Sequence, residues 1–134
     1  MAWGFFYVGL SSMMGVFNSF DLTDAFVKDP NLRFGWEATL MNSAHGHSSL
    51  FGFLHIFFGL TIPYSPLDGK IKQLQTAGFA LGCLGMGPLM IARGILGPAP
   101  SFSWLGIAIG ACLSGCLVAI LSHSFGLLLK FIKR

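Results

Sequence analysis

Charged positions cut the chain into four long uncharged stretches. None occurs in residues 1–20, 38–67, 73–92 or 94–129, whereas Asp21, Asp24, Lys28, Asp29, Arg33 and Glu37 cluster in one place and Asp68, Lys70 and Lys72 in another. A helix needs roughly 20 apolar residues to cross the hydrocarbon of a bilayer. The pattern therefore predicts four spans, near 2–20, 40–63, 73–95 and 103–129, with Pro63, Pro66, Pro98 and Pro100 in the connections where helices must stop. Helices are expected because an unpaired backbone amide in lipid costs several kcal/mol, and the runs lack the alternating polarity of barrel strands. Short connections at 64–72 and 96–103 make neighbours antiparallel. The expected fold is all-α: a single transmembrane domain over 1–134, built as an up-down-up-down four-helix bundle.

Residues 21–39 are the one sizeable segment outside these spans. Their charges interleave with Phe26, Val27, Phe34 and Trp36, the composition of an external interfacial segment with a short helix after Asp21. The first stretch lacks a basic leader and a small-residue cleavage site and is read as a span, not a removed signal.

Composition strengthens the membrane reading. The chain is 54% hydrophobic, has 8 Lys and Arg against 5 Asp and Glu, and has a mean hydropathy of +0.72. So few charges cannot cover a soluble domain. Lys70, Lys72, Lys130, Lys133 and Arg134 fall on one side, and Lys28, Arg33 and Arg93 on the other. Both termini are therefore expected on the cytoplasmic side of a bacterial inner membrane, or the equivalent side of an organelle membrane. The net charge of +3 sits on that rim as lipid-headgroup anchors and offers no argument for nucleic acid. Cys83, Cys112 and Cys116 lie within spans without a CxxC pair and read as packed thiols. Gly78, Gly82 and Gly85, and Gly106 with Gly110, recur at helical spacing as packing notches; the same notches leave room for a flat cofactor.

The four histidines all fall in or at spans: His45, His47 and His55 on the second, His123 on the fourth. Ionisable groups at membrane depth are rare and usually functional. At about 100° per residue His45 and His47 point to nearly opposite sides of their helix. His55 shares a face with Ser48, Gly52 and Gly59, and His123 with Cys112, Cys116 and Ala119. His55 and His123 each lie roughly 10–12 Å below the cytoplasmic end of their spans at 1.5 Å per residue. They are expected at one level, where two imidazoles from two helices suit axial ligation of a b-type haem. His45 and His47 are expected near the outer interface, where they suit copper or zinc, a proton relay or a quinone headgroup. Arg93, in a stripe with Met86 and Met90, is a candidate partner for a haem propionate. Against all of these stands the plain alternative that each imidazole only hydrogen-bonds a neighbouring helix.

The stretch Ser43-Ala44-His45-Gly46-His47-Ser48-Ser49-Leu50-Phe51-Gly52-Phe53 resembles the His-x-His segment of small four-span bacterial membrane proteins. It is also locally similar to the haem-binding second helix of subunit I of haem–copper oxidases, where Ala-His-Gly leads into a Phe-rich span. The resemblance implies that His45 occupies the haem-ligating position, with His123 as its partner, whereas depth alone prefers His55. The likeness is confined to residues 43–53, and Ser48 stands where leucine is usual. The oxidase core has many more helices and histidines, so oxygen reduction by this chain alone is not implied.

Three readings follow. The leading one is a small electron-transfer subunit that binds haem b within a larger respiratory or quinone-linked membrane complex. The second is a cofactor-free accessory subunit that packs against larger partners and lipids. The third, a metal handler or transporter using His45 and His47, is weakened by the absence of an inverted repeat. No nucleophile–base pair, phosphate loop or zincin spacing supports hydrolysis or phosphoryl transfer.

Overall fold

The computed structural model describes residues 1–29, 31, 35–98 and 102–132, without the side chains of Asp21, Leu22 and Phe26. The described residues form four helices: α1 (Ala2–Lys28), α2 (Trp36–Thr61), α3 (Gly69–Ile95) and α4 (Trp104–Ile132). Of these, α3 and α4 are long and apolar enough to cross a membrane. Helices α1 and α2 are as long, but Asn18, Asn42, three histidines and several serines make them less apolar.

Local chemistry sets the ends. Helix α1 does not stop at the first charges. It runs through Asp21 and Asp24 to Lys28, so no separate interfacial helix follows Asp21. The stop comes at Asp29, whose backbone is extended (φ −140°, ψ 97°), as the residue before a proline prefers. Helix α2 begins at Trp36, with Glu37 in its first turn, where a carboxylate favours the positive end of the helix dipole. At its far end Pro63 tightens the chain into a 3-10 turn, Ile62–Tyr64. Asp68 then caps α3 by accepting a 2.8 Å hydrogen bond from the Ile71 amide. Lys70 and Lys72 therefore lie on the first turns of α3, not in a loop. Ser103 accepts from the Gly106 amide at 3.3 Å and starts α4 in the same way.

Inside α3 the segment Gly85–Leu89 widens to a π turn around Pro88. Proline has no N–H to donate, and a π turn would call on that group for the carbonyl five residues back. That carbonyl is Cys83, and the Tyr7 hydroxyl of α1 donates to it at 2.6 Å.

Neighbouring helices are antiparallel, as the short connections predict. Helix α1 packs along α2, α3 along α4, and α2 and α3 join the two pairs. Glycines set the closest approaches: a Cβ on Gly4 would stand 2.7 Å from the Gly52 carbonyl oxygen, and one on Gly78 2.6 Å from Ala119 Cβ. The expected stripe Gly78, Gly82 and Gly85 does seat α3 on Gly115, Cys116 and Cys112 of α4. Gly110 faces open space instead and is no packing notch. The core sits between α2, α3 and α4 at Phe58, Phe79, Cys116 and Ala119. Outside it the surface is strongly apolar, with Phe5, Phe6, Phe17 and Phe20 exposed on α1, Phe53 and Phe57 on α2, and Leu121 and Phe125 on α4.

Candidate functional site

The four histidines separate into two pairs with different surroundings. His55 and His123 are both buried, on the faces expected for them. They do not confront each other across a gap. Phe58 stands between them, its ring centroid 6.5 Å from that of His55 and 4.8 Å from that of His123. Phe58 in turn stacks on Phe79 at 4.4 Å, so packed aromatic rings fill the space that two axial ligands would need for a haem. The helices are also offset. His123 meets α2 at Thr61, about 9 Å further along the helix than His55 at 1.5 Å per residue.

That meeting fixes the chemistry of His123. Thr61 Oγ1 donates to the Phe57 carbonyl at 2.8 Å and lies 2.8 Å from His123 Nε2. A hydroxyl has a single proton, so Nε2–H donates to Thr61 and is spent on holding α4 to α2. His123 Nδ1 and His55 Nδ1 are buried without a hydrogen-bond partner among the described residues. The expected His55–His123 ligand pair is therefore not assembled.

His45 is arranged differently. Its Nδ1 lies 2.8 Å from the Ser11 carbonyl oxygen of α1. A carbonyl only accepts, so the ring proton sits on Nδ1 and the Nε2 lone pair is left free. Ser11 returns the contact, its hydroxyl donating to the His45 carbonyl at 2.7 Å. The ring nests where α1 has no side chain, because a Cβ on Gly15 would stand 2.5 Å from His45 Cε1 and 2.8 Å from Nε2. His45 also lines an open groove of about 530 Å³ along α1, with Ser12, Gly15, Val16, Ser19 and Phe20. A metal-ligating histidine usually donates its second ring nitrogen to a carbonyl or carboxylate, which fixes the ring and leaves the other nitrogen as the ligand. Of the four imidazoles, His45 alone combines a tether to a neighbouring helix with a place on an open groove.

No protein-family model matches this chain, and no curated protein or solved structure is found similar to it.

His47 is exposed, and its Nδ1 donates within its own helix to the Ser43 carbonyl at 2.8 Å. It faces away from the α1 contact that holds His45, as their spacing predicts, so the two do not converge on one copper or zinc ion. Among the described residues no three His, Cys, Asp or Glu side chains are grouped to hold a metal. Arg93 is placed at the far end of α3, its guanidinium 5.4 Å from the Trp36 ring centroid, while Trp36 Nε1 donates to the Arg93 carbonyl at 3.1 Å. It clamps α2 to α3 and is absent from the lining of the His45 groove. Ser11, Gly15 and Thr61 escaped the reading of the sequence. A usable signal existed for the first two: Gly4, Ser11 and Gly15 fall on one face of α1, the small-residue stripe that α2 needs for close approach.

Proposed function

We propose that this chain is a four-span membrane subunit that holds a b-type haem on His45 and carries electrons within a larger respiratory or quinone-linked complex. The observation that supports the assignment is the tether of His45 Nδ1 to the Ser11 carbonyl, which leaves Nε2 free beside a groove. The local resemblance of residues 43–53 to an oxidase haem helix, which names His45 with His123 as its partner, agrees with the first of these two residues only. Gly15 makes room for the imidazole against α1, Phe20 offers a ring to pack on the macrocycle, and the groove lining holds no Lys or Arg, so cations for the propionates would come from the larger complex. When bound, the haem iron supplies one-electron chemistry. The chain's own part is to orient one ligand and to shield one side of the ring.

The groove is open on its other side, so the larger complex furnishes the opposite wall. Membrane crossing by α1 and α2 as well as α3 and α4 is supported by the apolar residues that α1 and α2 expose, more than a water-soluble surface tolerates. His45 lies about 14 Å into α2 at 1.5 Å per residue, below the interface marked by Trp36. The competing reading, a cofactor-free accessory subunit, draws on the same exposed phenylalanines as a partner surface. A reduced-minus-oxidised absorbance spectrum with pyridine haemochromogen analysis, taken on native membranes and on the purified complex, separates them. The haem reading expects a b-type spectrum at about one haem per chain; a featureless spectrum in native membranes leaves the accessory subunit.

A further inference from the structure

A second cavity lies between α1 and α3, near the opposite end of α2 from the His45 groove. Its volume is about 520 Å³, and its walls include Trp3, Tyr7, His55, Ala77, Ala80 and Cys83. It exists because α1 rests mainly on α2 and reaches α3 through the Tyr7 hydroxyl on the Cys83 carbonyl, while the alanines leave the α3 wall low.

His55 stands out in this lining. It is only 6% exposed, and its Nδ1 has no hydrogen-bond partner among the described residues. With Nδ1 sealed inside the protein, the ring nitrogen that a ligand in the cavity could meet is Nε2, whose proton would donate to an acceptor. The lining contains no Lys or Arg, which disfavours phospholipid headgroups. An acyl chain fits the apolar walls but offers the imidazole nothing. The ligand class that matches is neutral, apolar and flat, and carries a carbonyl oxygen. Apolar pockets with a few placed polar groups are the usual form of small-molecule sites.

We propose that this cavity binds a lipid-soluble quinone, with a quinone carbonyl accepting a hydrogen bond from His55. The proposal does not depend on haem at His45, since the two sites use different walls of α1 and different histidines.

The test is calorimetric titration of a decyl-tailed benzoquinone into the purified full chain in detergent, with empty micelles and decylbenzene as controls. Saturable binding at one quinone per chain is expected. His55→Leu, which keeps the volume and removes the donor, should weaken it roughly tenfold, the scale of one buried hydrogen bond. Ala80→Phe starts from an exposed position, fills the cavity and should abolish binding with the helical circular dichroism unchanged. His45→Ala should leave the affinity as it was, which keeps this result separate from the fate of the haem reading. Decylbenzene binding as tightly as the quinone would overturn the proposal, as would affinity indifferent to both cavity variants or the absence of saturable binding.

Discussion

The two ends of α2 use histidine in opposite ways. Toward Trp36, His45 is tied by one nitrogen to a backbone carbonyl of α1, sits against a glycine and looks onto an open groove. Toward Thr61, His55 lies beside Phe58 and Phe79 with one edge on the α1–α3 cavity, and His123 packs on Phe58 and spends Nε2 on a threonine that links two helices. Burial alone would rank the second pair as the better cofactor site. What decides is the tether: the Ser11 carbonyl fixes the ring of His45 and leaves Nε2 as its free nitrogen, and neither buried histidine has such a partner among the described residues.

Phe58→Ala removes the ring that separates His55 from His123 and stacks on Phe79. It should destabilise the bundle by about 3–5 kcal/mol, the usual loss for a buried phenylalanine, seen as earlier unfolding in mixed micelles. If the two ends of α2 are as independent as their contacts suggest, the haem content of the protein that remains folded should not fall. Tyr7→Phe strips the Cys83 carbonyl of its donor at a point where Pro88 cannot replace it. A loss of about 1–3 kcal/mol is expected, and a neutral result would mean that water or lipid satisfies that carbonyl. Asp68→Ala removes the cap of α3, far from His45, and should lower stability by about 1 kcal/mol without altering any spectrum. Smallest of all, Gly110→Ala places a methyl in open space on α4 and should stabilise by about 0.5–1 kcal/mol through helix propensity. Gly15→Ala, the same chemical change against His45, should instead displace the imidazole.

Much of the architecture was legible from charge spacing and proline positions. The four uncharged stretches correspond to four helices, and the connections at Pro63, Pro66 and Pro98 lie where the helices end. Helix α1 runs past the first charges because charges do not by themselves end a helix; the chain leaves it at Asp29, before Pro30, and Asp21 and Asp24 fall in its last turns. The Gly78, Gly82 and Gly85 stripe was legible because three residues on one face leave little choice of partner, whereas Gly110 had the same spacing and no helix opposite. The pairing of His55 with His123 failed for a geometric reason. Counting residues from a helix end gives depth along the axis, but whether two faces meet depends on the rotation and crossing of both helices, and an intervening Phe58 is invisible to it. His45 was singled out by local resemblance, yet its tether to Ser11 was not, since nothing in one helix announces which carbonyl of its neighbour it will meet.

The central claim is that His45, not the buried pair, carries the haem. Its most direct test is the reduced-minus-oxidised spectrum of the complex assembled with His45→Ala, set beside His123→Ala, with subunit incorporation verified in both. The account predicts that the Soret and α bands assigned to this subunit vanish with His45→Ala and persist with His123→Ala. Bands that survive the loss of His45 and disappear with His123 would contradict it and return the ligand to the aromatic end of α2.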